Sequence, residues 1–244
     1  MSDMSVMMTA WRRPAYLRRT LESWAAVDGL RDLRQFVVAL DPSDRQDAVR
    51  SEIKRSALAP ELWENSAQLG CGGNPAASAQ RMFQEDPALE FLIFAEDDLL
   101  VSDDVLRYFA WAKEEFRDRS DVLLACAHSN DNPSADADPS AVTLACRFRC
   151  WVWATWRDRW DDVLYPTWDW DYTSGDQGGP TGWDHHINLR IMPPRGLLAA
   201  LPAASRSQNI GRFEGVHADP AGFGTTQNPS FREHREPVTF QLSR

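Results

Sequence analysis

The chain has 244 residues, 43% of them hydrophobic and 25% charged, which is the make-up of one ordinary globular core. Its net charge of −10 and isoelectric point near 5.0 argue against non-specific binding to a phosphate backbone. No run of about 18 apolar residues exists, which excludes a spanning helix. Met1-Ser2-Asp3-Met4 lacks the marks of a signal peptide, so a cytoplasmic location is expected (the host cytoplasm if the source is viral).

Taken in order, Ser5 to Thr9 reads as a short apolar strand, followed by Ala10-Trp11-Arg12-Arg13-Pro14. A helix starts at Pro14, with Leu17, Leu21 and Trp24 on one face. Gln35 to Leu40 is a second buried strand, ending in Asp41-Pro42-Ser43-Asp44. Asp47 to Leu58 predicts a helix, and Leu62-Trp63 starts a short third strand. Gly70 to Pro75 reads as a glycine loop that Asn74 caps and Pro75 leads into a helix. It lacks the G-K-[ST] of a phosphate loop, so tight packing is the favoured role. The cysteines, Cys71, Cys126, Cys146 and Cys150, form no C-x-x-C pair, which argues against structural zinc.

The organising stretch is Glu90 to Leu100. Phe91 to Ala95 are apolar throughout, as in a strand buried on both faces. Glu96, Asp97 and Asp98 follow at its carboxyl end, where open α/β sheets bind ligands. Ser102 is the expected N-cap of the next helix, and Val105, Phe109, Ala112 and Phe116 share its inner face. Asp103 and Asp104 read as complements to that helix's dipole. Three carboxylates at a strand end call for a positive partner, and hard oxygen ligands suit Mg²⁺ or Mn²⁺.

Asp121 to His128 is a further apolar strand. Asn130 to Ser140 is a polar loop, and Ala141 to Cys150 an edge or hairpin strand. Tryptophan is then dense. Trp153, Trp156 and Trp160 have helical spacing and read as core; Trp168 and Trp170 flank Asp169 in a polar loop, where an exposed ring can stack on a sugar. The stretch from Tyr165 to Gly182 is long, acidic and glycine-rich, as functional loops often are. Gly182 to Arg190 begins a short helix in which Asp184 is either a cap or a chemical group. Leu197 to Leu201 is the last buried strand expected. Asn209 to Gln227 reads as a lid.

These pieces resemble a GT-A fold glycosyltransferase, and more narrowly the N-acetylglucosaminyltransferase I family with its protein O-mannose relative. The matching residues are Ala10 to Pro14, Val38 to Asp41, Glu96 to Leu99 with Phe109, and Ser129 to Asn132. Trp153 with Trp160, Trp183-Asp184, Ser205-Arg206 and Ile210 to Val216 complete them, all in the family's order. The resemblance implies a single α/β GT-A (Rossmann-like) domain over 1–244, with a mostly parallel central sheet flanked by helices. Roughly its first 100 residues bind the nucleotide sugar and the rest face the acceptor. By the same resemblance, Arg13, Asp41, Glu96 and Asp97 contact the donor. Asp98 binds Mn²⁺ or Mg²⁺, and Asp184 is the catalytic base. Val216 and His217 belong to a loop closing over the donor. Trp168, Trp170 and Trp183 are candidate acceptor contacts.

The implied activity is an inverting, metal-dependent transfer from a nucleotide sugar, UDP-sugar first, to an acceptor hydroxyl. That acceptor is a glycan, a protein, a small molecule, or a hydroxymethylated DNA base of the kind some phage enzymes modify. Arg147, Arg149, Arg157 and Arg159 would supply a local basic strip for the last of these. Two alternatives stay open: a nucleotidyltransferase of the same fold, and a non-catalytic sugar-binding module.

Overall fold

The computed structural model describes residues 3–129, 134–170, 182–213 and 227–243. Four strands run parallel: β1 (Met4–Ala10), β2 (Phe36–Leu40), β3 (Glu61–Glu64) and β4 (Phe91–Glu96). β5 (Leu99–Val101), β6 (Val122–Cys126), β7 (Ala141–Ala145) and β8 (Trp153–Trp156) follow. β9 (Leu198–Pro202), β10 (Ser207–Asn209) and β11 (Gln241–Leu242) complete the strands among the described residues. Nine of them form one sheet in the order β11-β7-β9-β6-β8-β4-β1-β2-β3, while β5 and β10 pair apart from it. The four principal helices are α1 (Pro14–Ala25), α2 (Gln46–Arg55), α3 (Gly70–Glu85) and α4 (Val105–Glu115).

The sheet is covered on both sides, which is why its central strands read as unbroken apolar runs. Val6 and Met8 of β1 face a layer built from Leu17, Leu21 and Trp24 of α1 and Phe109 of α4. Met7 faces the opposite layer, with Ala76, Ala79 and Phe83 of α3. Phe91, Ile93 and Ala95 of β4 follow the first pattern, and Leu92 and Phe94 the second. Alternate residues point to opposite faces, so each central strand serves two cores. Among the described residues, no helix is long and apolar enough to cross a membrane.

Several local expectations are corrected. The segment 70–75 is the start of α3 itself, not a loop before it, and Pro75 lies inside the helix. Asn74 is buried there. Its amide donates to the Ala39 carbonyl and its oxygen accepts from Ser78 Oγ, so it bridges helix to sheet instead of capping. Ser102 does not cap α4 either; its hydroxyl donates to Asp104 Oδ1. Asp104 is wholly buried against Arg206, so it answers an ion pair and not only a helix dipole. Trp153 and Trp156 lie on strand β8, which enters antiparallel between β4 and β6. Their odd separation sends them to opposite faces: Trp153 stacks on Phe94 at 3.9 Å, and Trp156 meets Phe91 edge-on at 4.9 Å. Leu198–Pro202 is not the last strand, since β10 and β11 come after it.

Candidate active site

The chain leaves β1 toward β2 and β3 on one side, then returns to place β4 on the other. The carboxyl ends of β1 and β4 therefore flank the point where strand order reverses, the usual ligand crevice of an open α/β sheet. Arg13 stands there, between β1 and the Pro14 that starts α1. Glu96 ends β4, and Asp97 and Asp98 make the turn into β5. The Arg13 guanidinium spans both aspartates: Nη1 donates to Asp98 Oδ2 at 2.7 Å, and Nη2 donates to Asp97 Oδ1. The Trp11 amide donates to Asp97 Oδ2 at 3.2 Å, and Thr20 Oγ1 to the Asp97 carbonyl at 3.0 Å.

A second element closes on Asp98 from above. β10 pairs antiparallel with β5, Asn209 opposite Leu99, and the Ile210 amide donates to the Asp98 carbonyl at 2.9 Å. Gly211 comes next, so near that a Cβ on it would lie 2.0 Å from Asp98 Oδ2 and 3.2 Å from Arg13 Nη1. Glycine is required here for room.

Burial pushes the Asp98 carboxyl up to about 6, against the pull of Arg13. Burial, and then the neighbouring Asp98 charge, pushes Glu96 up to about 8, with Asp184 adding to the effect. Burial works against the Arg13 charge too, but Asp97 and Asp98 more than offset it, and its pKa is raised. The cluster thus holds more negative charge than one arginine satisfies. Asp98 Oδ1 is the direct sign of this: it is buried and has no hydrogen-bond partner. A carboxylate oxygen buried without a donor is costly. A divalent cation meets the need with oxygen ligands of the type present, so the residues fit Mg²⁺ or Mn²⁺. Among the described residues, no group of three or more His, Cys, Asp or Glu is arranged to hold a metal by itself.

Glu96 also lines a narrow crevice with Thr9, Phe94, Cys150, Trp153 and Trp183. Asp184 stands next to Trp183, in the first turn of a helical segment that begins as Trp183–His186. Gly182 is the N-cap of that segment; the Asp184 side chain stays one-third exposed at 33%, with its Oδ1 3.3 Å from His185 Nδ1. The Cys150 thiol is held well above its usual pKa by burial and then by the charges of Asp184 and Glu96. An aromatic floor sets the helix: Trp183 stacks on Trp168 at 5.3 Å and 18°. Trp168 Nε1 donates to the Gly72 carbonyl at 3.1 Å. Asn188 ties the same helix to the 148 segment through both the Phe148 amide and its carbonyl.

The structure thus puts Arg13, Asp97 and Asp98 in direct contact beyond β4, with Glu96 next to them on the crevice and Asp184 beside the crevice-lining Trp183. Asp41 reaches the carboxyl end of β2 but is already engaged. It is buried, Oδ1 accepts from Asn65 Nδ2 at 2.8 Å, and Oδ2 accepts the Leu69 and Gly70 amides at 3.0 and 2.8 Å. It caps α3 from a distant strand. Trp168 and Trp183 are buried, so neither is the open stacking face expected of it, although Trp183 has an edge on the crevice; Trp170 is half exposed. Val216 and His217 lie outside the described residues. Two arginines of the expected basic strip are turned inward: Arg157 donates to the Phe83, Asp86 and Leu89 carbonyls and Arg159 to those of Phe116, Arg117, Arg119 and Val122, while Arg147 is exposed and Arg149 half-buried. Gly211 carried only its place in the family's order as a signal, and nothing local pointed to its contact with Asp98.

No family model matches the sequence, and no curated protein matches it. Solved structures do. The mannosyltransferase PcManGT from Pyrobaculum calidifontis, in complex with GDP-Man and Mn²⁺, is similar over 82% of this chain and 54% of its own, at 18% identity and a TM-score of 0.57. S. aureus TarS 1–349 in complex with UDP-GlcNAc is similar over 52% of this chain and 34% of its own, at 21% identity and a TM-score of 0.42. A cytidylyltransferase from Leptospira borgpetersenii is similar over 64% and 61%, at 8% identity and a TM-score of 0.42. This chain spans about half the length of the mannosyltransferase and about a third of TarS 1–349. The likeness to PcManGT carries the fold, a Rossmann-like GT-A domain with a largely parallel central sheet.

Proposed function

We propose that the protein is an inverting, metal-dependent glycosyltransferase, acting from a nucleotide sugar, UDP-sugar first, on an acceptor hydroxyl. One observation carries the reading: on a GT-A fold, at the point where strand order reverses, the buried Asp98 keeps an oxygen without a partner beside Glu96, Asp97 and Arg13. Similarity to PcManGT, whose structure holds GDP-Man and Mn²⁺, supports the donor class. The sequence resemblance supports the narrower N-acetylglucosaminyltransferase I kinship and a donor-side part within about the first 100 residues.

In this reading Asp98 holds Mn²⁺ or Mg²⁺, which when bound supplies positive charge for the diphosphate as the sugar departs. Arg13 and Asp97 fix the floor on which the nucleotide lies. Asp41 anchors the α3 end of the nucleotide pocket, and Val216 and His217 cover the donor. Asp184 removes the acceptor hydroxyl's proton from the side opposite the leaving group. One base and one displacement invert the anomeric centre, and no second carboxylate is needed as nucleophile. Trp170, with Trp183 at the crevice edge, flanks the acceptor. The acceptor is a glycan, protein or small molecule; with Arg157 and Arg159 turned inward, nucleic acid enters only as a modified base.

The test is a calorimetric screen of UDP- and GDP-sugars with and without Mn²⁺, coupled to mass spectrometry of the products. Metal-dependent binding of one donor, with slow release of free sugar and nucleoside diphosphate, is expected. Release of pyrophosphate from a nucleoside triphosphate would assign a nucleotidyltransferase instead. Sugar binding indifferent to the nucleotide would assign a binding module.

A further inference from the structure

Building on that reading, we propose that Arg13 is a resident counter-cation, which keeps divalent metal from loading on the donor-free protein and couples metal entry to donor entry. The geometry is specific. One guanidinium bridges the two aspartates that follow β4, with Nη1 on Asp98 Oδ2 at 2.7 Å and Nη2 on Asp97 Oδ1. Its side chain is only 12% exposed, against 4% and 7% for the two carboxylates, so water screens the contact weakly. Gly211 closes the remaining approach to Asp98 Oδ2, since even a Cβ there would stand 2.0 Å away. Asp98 is thus divided. Oδ2 belongs to Arg13, and Oδ1 is buried without a partner.

Charge counting shows what this does. Asp97, Asp98 and Arg13 together carry one net negative charge. A lone divalent ion at Oδ1 would stand beside the guanidinium that already holds Oδ2, a repulsion that a partly buried site does not screen away. A nucleoside diphosphate brings the missing negative charge, and both cations are then satisfied. Metal and donor therefore bind as partners, each raising the other's affinity by the same factor. Arg13 is a positioning residue in this scheme; it touches neither the reacting carbon nor the acceptor.

The experiment measures Mn²⁺ binding to the whole protein by electron paramagnetic resonance and calorimetry, with and without UDP, for wild type and Arg13→Gln. Wild type is expected to bind Mn²⁺ weakly alone and at least about tenfold more tightly with UDP. Arg13→Gln is expected to bind Mn²⁺ alone about tenfold more tightly than wild type, while UDP affinity falls and the metal–UDP coupling shrinks. A merely structural role for Arg13 predicts weaker binding of both ligands. Unchanged or weaker Mn²⁺ binding in Arg13→Gln, with metal-dependent UDP binding intact in wild type, overturns the counter-cation role and leaves the transferase reading standing. No Mn²⁺ binding to wild type even with UDP overturns both. Should Arg13→Gln fail to fold, Arg13→Lys decides. Its ammonium keeps the positive charge beside Asp98, so Mn²⁺ alone should bind as weakly as to wild type and the gain with UDP should persist; tight Mn²⁺ binding to Arg13→Lys without UDP refutes the proposal.

Discussion

Replacing Gly211 by alanine tests the closest approach in the site. The new Cβ would stand 2.0 Å from Asp98 Oδ2 and 2.9 Å from Asp98 Cγ. Ordinary contact between such atoms needs about 3.2 Å, so something must move by roughly 1 Å. Gly211 is not among the residues with positive φ, so backbone strain adds nothing and the effect is one of space. Two responses are open. The Asp98 side chain turns away and breaks the 2.7 Å bond from Arg13, or the 210–211 segment lifts and breaks the bonds from Ile210 N to Asp98 O and from Gly211 N to Asn209 Oδ1, at 2.9 and 2.7 Å. A hydrogen bond to a charged group contributes about 1.5–3 kcal/mol, so stability should fall by about that amount. A displacement of about 1 Å in a binding group is worth on the order of 10², so Mn²⁺-dependent UDP affinity should fall about a hundredfold. Calorimetry with UDP and Mn²⁺ measures the second effect, and urea unfolding the first. Gly73→Ala is the control. Its Cβ meets only Leu69 Cβ, at 3.4 Å, inside helix α3, where Gly→Ala stabilises by roughly 0.5–1 kcal/mol. Wild-type UDP affinity in Gly211→Ala would refute the placement of Asp98 argued above.

Asp184→Asn keeps the shape of Asp184 and removes its basicity, so turnover should drop by roughly 10² to 10⁴ with donor affinity and melting temperature nearly unchanged; near-normal turnover would take Asp184 out of the mechanism. Glu96 has its folded pKa raised to about 8 from 4.5, so the stability it contributes is full below its unfolded value and is lost as pH rises through about 8. Without metal, the melting temperature of Glu96→Gln should therefore gain on that of wild type as pH is raised from 5 toward 9, and a pH-independent difference would contradict the burial argument. Arg206 and Asp104 pair with both side chains at 0% exposure. Arg206→Ala strands a buried carboxylate and should cost about 3–5 kcal/mol in urea unfolding, whereas removing both charges as Arg206→Met with Asp104→Asn should cost distinctly less. Equal losses in the two proteins would show that the stranded charge is not the cause.

The sequence by itself determined the central strands and the helices beside them. β1, β2, β4 and β6 are buried on both faces, so Phe36–Leu40, Val122–Cys126 and β4 up to Ala95 are apolar throughout, and Met4–Ala10 is apolar but for Ser5 and Thr9. Leu17, Leu21 and Trp24 on α1, and Val105, Phe109 and Ala112 on α4, needed only the helical period to be recognised. The acids after β4 were legible for the same local reason, because a strand end followed by carboxylates marks a ligand site whatever lies around it. Local patterns misled where two periods overlap. Trp153 and Trp156 are three apart, which suits one helix face, yet a strand with two buried faces takes tryptophan at any spacing. Tertiary structure alone decided the partners. Asp41 became the cap of α3, 29 positions away, because β2 ends beside that helix. Arg13 met Asp98 across 85 positions, and Arg206 met Asp104 across 102. These contacts follow from which strands lie side by side, and that order is set by how the whole chain buries its apolar faces, which no window of neighbouring residues contains.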